Sequence, residues 1–379
     1  MIKSYSATTR EIDDALAAVN EIKASLDIDN ILLKNSIGII SCFSEFDETG
    51  VLKEICEALP FDCIGATSGL CSANGETDQI IFTITVLTSD DCDFKTTLIS
   101  IDDNFENNIT SSISPLINQQ NQSPSLILGY FPLVNAIGGD IILEALDRTT
   151  GGIPVFGTVA IDHTVDFKTS KTIFNGEAYS ESAALGIIYG NIDVTYEIAV
   201  LSEDKIRKQR AIITESKGSL LISVNDKSVS EYLNEIGLSE SEMLGLVPLV
   251  IGYDDEKTHI ARAVYALTPE GTAICGGMMP VGATLSIGRV DEPDVLYTSE
   301  KAINKVADED SFVLIYSCIA RFFALGLNTT KEVEKISKIK KDKNYLFAYS
   351  GGEICPVLGS DGKLKNYFHN FTIVMCRIS

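Results

Sequence analysis

The sequence predicts a layered α/β protein of two domains, whose mixed, partly antiparallel sheets are built from repeated β-α-β-β units. Three observations predict it. Apolar runs of strand length alternate with helical segments along most of the chain. The same order of strand, helix, short strand and closing strand occurs twice before about residue 200. The length of 379 residues favours more than one hydrophobic core.

The first element is a helix. Thr8-x-x-Glu11 has the spacing of a capping box, and apolar residues follow at helical period as far as Ile22. The first unit comes next. Its segments are a buried strand at 37–43, a helix at 51–59, a short strand at 63–68 and a closing strand at 80–87.

A second unit repeats that order. Its segments are a strand at 126–131, a helix at 140–146, a short strand at 155–160 and a closing strand at 183–189. Gly65 and Gly157 hold matching places, 157 − 65 = 92 residues apart, which indicates an internal duplication over about 30–105 and 120–200. A short strand followed by a return strand favours antiparallel neighbours over a purely parallel sheet.

A third, looser copy lies near the C-terminus. Its segments are a strand at 312–317, helical residues at 318–339, and strands at 345–350 and 371–376 around a glycine-rich loop. A charged connector at 202–210, a strand with a tight turn at 220–227 and a helix at 232–236 separate it from the second copy. We therefore expect one domain over 1–228 and another over 229–379.

Charge and composition exclude several functions. The formal net charge of −23 repels nucleic-acid phosphates and anionic membrane surfaces. Lysines gather at 331–343, but acidic residues interrupt them, so we interpret that segment as a solvated helix face. The chain shows no signal peptide and no run near the ~20 apolar residues that span a bilayer. We expect a cytoplasmic protein without nucleic-acid binding or membrane insertion.

Cysteine and histidine usage argues against metals and disulfides. The nine cysteines lie scattered in apolar segments, a pattern typical of buried reduced thiols. There is no Cys-x-x-Cys pair, no His-Glu-x-x-His and a total of three histidines. Gly-x-Gly-x-x-Gly and Walker motifs are also missing from the sequence. We expect neither a metal nor a cofactor.

The first candidate site is the segment 317–321, where a buried strand gives way to a helix. Backbone N–H groups at a helix start favour anions, and Arg321 can fork onto a carboxylate or phosphate. Cys318, at the same place, is a candidate for a lowered thiol pKa. The alternative is an inert core cysteine beside a solvated arginine.

The second candidate is the run Ser350-Gly351-Gly352-Glu353. Its two glycines allow a ligand to approach the main chain, and Glu353 can accept hydrogen bonds from an amine or pair with Arg321. The alternative is a plain glycine turn with an exposed glutamate.

The third candidate is His369-Asn370, directly before the last strand. The Asn370 side chain both donates and accepts, which suits an amino-acid-like group. A turn asparagine beside a surface histidine is the alternative.

Small hydroxylated residues also follow the short strands of the first two units. Thr67 and Ser68 match the segment 157–162, which ends in Asp162, and such strand ends often form the rims of ligand pockets. Gly138-Gly139-Asp140 opens a helix, but the acidic side chain opposes anion binding there.

These stretches resemble the FIST family, as an N-terminal FIST region followed by a C-terminal one. The matching N-terminal stretches are 65–69, 157–162, 172–176 and the joining segment 225–233. The C-terminal matches are Ser317-Cys318-x-x-Arg321, Tyr349-x-Gly351-Gly352-Glu353-Ile354 and His369-Asn370-x-Thr372. Ala320 replaces a glycine that the family often has before the arginine.

The resemblance implies a sensory module of signal transduction that binds small ligands such as amino acids. No output domain is recognisable in the sequence, so we expect the signal to pass through a separate signalling protein. In the leading hypothesis Arg321 holds a ligand carboxylate, while Glu353 and Asn370 hold its amino or amide end. This hypothesis requires the three side chains to converge on one cavity.

Two alternatives remain open at this point. One is an adaptor that binds another protein. The other is a thiol-dependent hydrolase or transferase with Cys318 as nucleophile, His369 as base and Glu353 as orienting group.

Overall fold

The structure is a computed structural model that describes residues 2–118, 122–134, 137–164, 166–238, 247–252, 259–307, 311–359 and 362–379. Its helices are α1 (Ala15–Leu26), α2 (Ile28–Ile31), α3 (Glu45–Glu48), α4 (Val51–Glu57), α5 (Phe105–Asn118), α6 (Gly139–Thr150), α7 (Val229–Glu235), α8 (Glu292–Val306), α9 (Ile319–Ala324) and α10 (Lys331–Lys340). Its strands up to the second closing strand are β1 (Lys3–Thr9), β2 (Asn35–Cys42), β3 (Cys63–Thr67), β4 (Cys71–Ala73), β5 (Glu76–Asp78), β6 (Phe82–Ser89), β7 (Asp93–Ser100), β8 (Pro124–Phe131), β9 (Val155–Val159), β10 (Thr172–Phe174), β11 (Glu177–Tyr179) and β12 (Ser182–Tyr189). The remaining strands are β13 (Val194–Ala199), β14 (Ala211–Lys217), β15 (Leu220–Val224), β16 (Lys227–Ser228), β17 (Leu249–Gly252), β18 (His259–Arg262), β19 (Val264–Leu267), β20 (Ala273–Cys275), β21 (Thr284–Ile287), β22 (Phe312–Cys318), β23 (Tyr345–Ser350), β24 (Glu353–Leu358), β25 (Leu364–His369) and β26 (Ile373–Ile378).

Among the described residues, three six-stranded mixed sheets form one body. Sheet I has the order β1-β6-β2-β3-β10-β11, sheet II has β7-β12-β8-β9-β24-β25, and sheet III has β13-β26-β22-β23-β4-β5. In each, a central parallel pair is flanked by antiparallel strands. The prediction of repeated units in mixed sheets is confirmed, and the looser third copy is a full unit.

The three units exchange hairpins in a closed cycle. The β4–β5 hairpin of the first unit pairs with β23 of the third, and β24–β25 of the third pairs with β9 of the second. The β10–β11 hairpin of the second unit pairs with β3 of the first. Every sheet therefore contains strands from two units, and none of the three is complete without another.

Apolar packing explains this closed arrangement. One hydrophobic cluster takes side chains from all three sheets, including Ile39, Leu128 and Leu314, each of them fully buried. At its centre the hydroxyl of Tyr316 donates to that of Tyr130 at 2.8 Å. Helices α1 and α4, α5 and α6, and α8 and α10 cover the outer faces of sheets I, II and III. Each buried large apolar side chain contributes about 1.5–3 kcal/mol.

A fourth sheet is inserted into the third unit, between β13 and α8. Its strand order is β18-β17-β21-β14-β15-β20-β19, with β16 beside β15. The chain enters and leaves it through two adjacent segments that meet in a bridge between Ile206 and Gly288. The boundary that the sequence places at 228 lies within this insert, between β16 and α7. We call the insert, 206–288, the inserted domain.

Three local predictions are wrong. Helix α1 begins at Ala15 with Asp14 as its N-cap, whose side chain accepts from the Ala17 N–H at 2.9 Å, whereas Thr8 lies in β1. The segment 331–343 is not solvated throughout, because Glu332 is fully buried and Lys340 is 6% exposed. The glycine-rich loop before the last strand contains the hairpin β24–β25.

The prediction of buried cysteines is confirmed, since all nine are buried, and each is free in the structure. Within the described ranges, no helix is both long and apolar enough to cross a membrane. In that same part of the chain, no group of three or more His, Cys, Asp or Glu side chains is placed to hold a metal ion.

Candidate ligand-binding cleft

The central strands of the three sheets end close together. Three hydrogen bonds link these ends in a ring: Ile161 N to the Thr67 carbonyl (3.3 Å), Gly351 N to the Val159 carbonyl (3.0 Å) and Ser68 Oγ to the Tyr349 carbonyl (2.9 Å). The structure thus brings the predicted rim residues of the first, second and third units together. Thr67 and Ser68 are each 1% exposed, so they bind neighbouring strands and face no open space.

The two predicted glycines are required by packing of the chain on itself. A Cβ on Gly351 would lie 2.7 Å from Ile161 Cγ2, and one on Gly352 would lie 2.3 Å from the Phe368 ring. Both distances are shorter than real Cβ contacts allow. The close approach expected of a ligand is made here by the protein's own side chains.

Asp162 organises the loop that follows β9. Its carboxylate accepts from the backbone N–H and hydroxyl of Thr164, both at 2.6 Å, and from those of Thr169 at 2.6 and 2.7 Å. Asp162 is 1% exposed. A carboxylate that accepts this many bonds from one loop fixes the loop's shape.

Arg321 pairs with Glu332 and not with Glu353, the partner that the opposite charges suggested. Its Nη2 lies 2.8 Å from Glu332 Oε1, and the two side chains are 1% and 0% exposed. The other acceptors of the guanidinium are Ser317 Oγ, the Val200 and Val295 carbonyls, Thr298 Oγ1 and Ser299 Oγ. All three nitrogens thus donate to the protein, and Arg321 joins α8, α9 and α10.

Glu353 is held by hydroxyl groups within the third unit. Thr372 Oγ1 donates to its Oε2 at 2.6 Å, and Ser350 Oγ donates to its Oε1. Burial raises the pKa of Glu353 to about 8, against the lowering effect of these two bonds and of the nearby Arg321 charge. Glu353 and Arg321 therefore lie within electrostatic reach of each other without touching.

Cys318 does not have the chemistry of an activated thiol. Burial, followed by the neighbouring Glu353, raises its pKa well above the usual value. A thiol nucleophile needs the opposite shift. The burial and the raised pKa of Cys318 argue against the thiol-dependent alternative.

His369 and Asn370 are buried, at 1% exposure each, rather than surface residues of a turn. Asn370 Nδ2 donates to the His369 carbonyl at 3.0 Å, and its Oδ1 accepts from the Ala263 N–H at 3.3 Å. Asn370 therefore connects the body to the inserted domain. Its predicted contact with a ligand stays a prediction.

The His369 ring is neutral and has one unused nitrogen. Burial, followed by the charge of Arg262, lowers the pKa of His369 to about 3. Nε2 lies 3.3 Å from the Cys355 carbonyl. A carbonyl only accepts, so Nε2 carries the hydrogen and Nδ1 is an acceptor. Nδ1 is buried and has no partner among the described residues.

Two charged residues that were not predicted to belong to a site, Arg262 and Asp140, complete the contact between the body and the inserted domain. Arg262 Nη1 donates to the Phe368 carbonyl at 2.8 Å, and Asp140 accepts from the Met278 N–H. Arg262 and Asp140 are 3% and 7% exposed. The only sequence signal was Asp140 at its helix start, where a carboxylate is favourable.

An open cleft lies between the body and the inserted domain, with a volume of about 1070 Å³. Strand β13 and the connector line one side, and one face of α8 lines another with Asp294, Tyr297, Thr298, Lys301 and Lys305. His259, Val357 and His369 complete it. Of the ten predicted ligand residues none lines the cleft, although Arg321 donates to Thr298 and Val200 in its wall.

Asp294 is the second residue of the cleft with an unused acceptor. Its Oδ1 accepts from the N–H and hydroxyl of Ser202, while its Oδ2 is buried and has no partner among the described residues. Native proteins rarely leave buried polar atoms unpaired, so such an acceptor is a candidate contact for a ligand. Asp294 and His369 line the cleft, and each carries one buried acceptor atom without a donor among the described residues.

Models of known protein families match most of the chain. A model of the FIST N domain matches residues 36–227, and a model of the FIST C domain matches residues 227–356. The chain belongs to the FIST family. Among curated proteins, none matches it.

FIST domains are sensory domains of signal transduction. In this FIST protein the two matched regions are interleaved in space, because β4–β5 of the first region completes sheet III of the second. The cleft and the inserted domain also take residues from both regions.

Proposed function

We propose that this FIST protein is a cytoplasmic sensor that binds a small ligand with an amino group and a carboxylate, such as an amino acid, in the cleft. The observation that carries the proposal is the pair of unused acceptors, Asp294 Oδ2 and His369 Nδ1. A buried acceptor without a donor costs about 1–3 kcal/mol, and a ligand ammonium group removes that cost. Nine free, buried cysteines support the cytoplasmic location.

Lys301 supplies a counter-charge for the carboxylate. It lies seven residues after Asp294 on the same face of α8, which corresponds to about 10 Å along the helix. Lys301 forms no ion pair with a described residue, whereas Lys305 already pairs with Glu197 at 2.5 Å. The flexible lysine stem allows the ammonium group to approach ligands of different length.

Arg321 takes a positioning role in this proposal. It holds the Val295 carbonyl and the Thr298 hydroxyl on the side of α8 next to the cleft. Through Glu332 it ties that helix to α10. In this proposal Lys301 binds the ligand carboxylate, as was expected of Arg321, and Asp294 binds the amino group, as was expected of Glu353.

A ligand in the cleft can change the orientation of the inserted domain through the segments that connect it to the body. Its two connecting segments bind each other through Arg207 N to the Ile287 carbonyl (2.8 Å) and Arg289 N to the Lys205 carbonyl (3.1 Å). Lys205 also pairs with Asp291, one helical turn before Asp294, at 2.6 Å. A ligand that binds Asp294 acts beside this double connection, where small backbone changes reorient a domain. A separate signalling protein would read that change.

Thermal unfolding with a panel of amino acids and small carboxylates tests the proposal. A compound that binds only the folded chain raises its melting temperature by mass action. Asp294→Asn keeps the bond to Ser202 and removes the carboxylate, so the shift should disappear. Glu300→Gln is the matched control, since Glu300 lies on the same helix but pairs with Lys335. No stabilising compound, or an equal shift in the Asp294 variant, contradicts the proposal.

A further inference from the structure

The connector into the inserted domain concentrates positive charge in an acidic protein. The six residues from Lys205 to Arg210 contain four cations, in a chain with 53 acidic and 30 basic residues. Lys205 pairs with Asp291. Arg207, Lys208 and Arg210 form no ion pair with any acidic residue that the structure describes. Three cations thus keep their charge on one short segment.

These cations form the rim of a groove on the inserted domain, with a volume of about 520 Å³. Its floor is the β17–β21 pair, where Val250 lies opposite Ser286 and Gly252 lies opposite Thr284. Alternate residues of a strand share one face, so both hydroxyl side chains lie on the floor. A Cβ at position 252 would lie 2.6 Å from Thr284 Oγ1, so the glycine accommodates the Thr284 hydroxyl, which donates to the Gly252 carbonyl at 3.3 Å.

We propose that this groove is a second binding site, which takes the phosphate group of a small phosphorylated molecule. Guanidinium groups bind two oxygens of a phosphate at once, and a lysine adds a flexible point charge. The hydroxyl groups on the floor are further donors, and Thr284 would exchange its 3.3 Å bond to the Gly252 carbonyl for one to a third oxygen. A tetrahedral dianion uses donors on several sides. These would come from Arg210, from Thr284, and from the N–H groups of Arg207 other than the one that Nη1 donates to the Ile236 carbonyl at 3.0 Å.

The surroundings limit the ligand to a single phosphate group. Glu203 lines the groove at the end that it shares with the cleft. Its negative charge repels a longer polyphosphate that extends in that direction. Ile206 and His259 line both the groove and the cleft, so an occupant of the groove lies next to a ligand in the cleft.

Calorimetric titration of the full chain with inorganic phosphate tests this site, at constant ionic strength. The double variant Arg207→Gln, Arg210→Gln should bind at least about tenfold more weakly, because two charge-assisted hydrogen bonds are lost. The control is Lys331→Gln, Lys335→Gln on α10, which removes the same charge from lysines paired with Glu292 and Glu300. Its affinity should stay within about twofold of the parent.

Thr284→Val tests the floor without changing charge, and should weaken phosphate binding severalfold. Titration with glycerol phosphate shows whether the site prefers a phosphate ester or the free ion. A site for a phosphorylated molecule should bind this ester more tightly than inorganic phosphate. Absence of saturable binding overturns the proposal. Equal weakening in the two double variants, or parent affinity in Thr284→Val, also overturns it, since binding would then reflect overall charge alone.

Discussion

Arg321 and Glu332 form a buried ion pair whose atoms lie 2.8 Å apart, with the two side chains 1% and 0% exposed. Glu332 also accepts from Ser299 Oγ at 2.6 Å and from Tyr349 OH at 2.9 Å. The pair therefore fixes the end of β23 and the face of α8 to α10, directly behind the proposed ligand cleft. Because each of the two charges neutralises the other, no unpaired charge is buried at this place.

Removal of one charge from this pair should destabilise the protein strongly. Glu332→Gln leaves the Arg321 guanidinium buried without a counter-charge, at an expected cost of about 3–5 kcal/mol in the free energy of unfolding. The double variant Arg321→Met, Glu332→Gln should recover part of this loss. Urea unfolding measures both, with the exposed pair Lys53–Glu57 as control. A Glu332→Gln variant as stable as Lys53→Met contradicts the assigned role.

Glu353 should make the stability fall as pH rises from about 4.5 to about 8. Its folded pKa of about 8 lies above the ordinary value of 4.5. Between these values the folded state keeps a proton that the unfolded state has lost, so stability decreases as pH rises through this window. Glu353→Gln is neutral throughout. The unfolding free energy of the parent should therefore fall relative to that of the variant as pH rises from about 5 to about 8. A constant difference would falsify the shifted pKa.

His369 opposes that slope at lower pH. Its folded pKa of about 3 lies below the ordinary value of 6.5. The unfolded state then binds the extra proton, and stability rises with pH across that interval. The two effects cancel between about 4.5 and 6.5, so the parent protein should lose stability through Glu353 above about 6.5. His369→Gln should remove the acid-side slope, measured by the same urea titrations.

Gly157 should not tolerate a side chain. A Cβ there would lie 1.8 Å from the Gly129 carbonyl oxygen, which belongs to the paired strand and cannot move away. Gly157→Ala should cost at least about 1–3 kcal/mol or prevent folding. In Gly129→Ala, the nearest atom lies 3.2 Å away on the Phe131 ring, which can adjust. Circular dichroism and thermal unfolding compare the two, and equal stability would refute the close approach.

Cys318 should be unreactive in the native protein. Its thiol is 3% exposed, and its pKa is raised rather than lowered. Iodoacetamide labelling followed by peptide mass spectrometry should show modification in urea and little in buffer. Rapid native labelling of Cys318 at neutral pH would revive the thiol-dependent alternative.

The sequence predicts the units well because their signal is local. Buried parallel strands such as 37–43 and 126–131 are continuous apolar runs, which periodicity detects. The equivalence of Gly65 and Gly157 is reproduced, as each lies in a parallel strand opposite an isoleucine of an exchanged hairpin. The start of α1 was misplaced because Thr8-x-x-Glu11 has the right spacing but continues a strand.

The site was harder to predict because partners are not local. Arg321 and Glu353 carry opposite charges in matching family motifs, yet the carboxylate that reaches Arg321 is Glu332 of a lysine-rich helix. Nothing in the sequence distinguishes that glutamate from the solvated Glu334 two residues later. Asp294 is likewise not identifiable from the sequence, because its importance depends on a buried acceptor that has no donor near it in the folded chain.

The hairpin cycle has a consequence for synthesis on the ribosome. When the first two units have emerged, β9 has an open edge and the β4–β5 hairpin has no host strand, because both partners are encoded after residue 311. Open edges favour association with other chains. The ring of exchanged hairpins therefore cannot close until the strands of 345–369 have been synthesised.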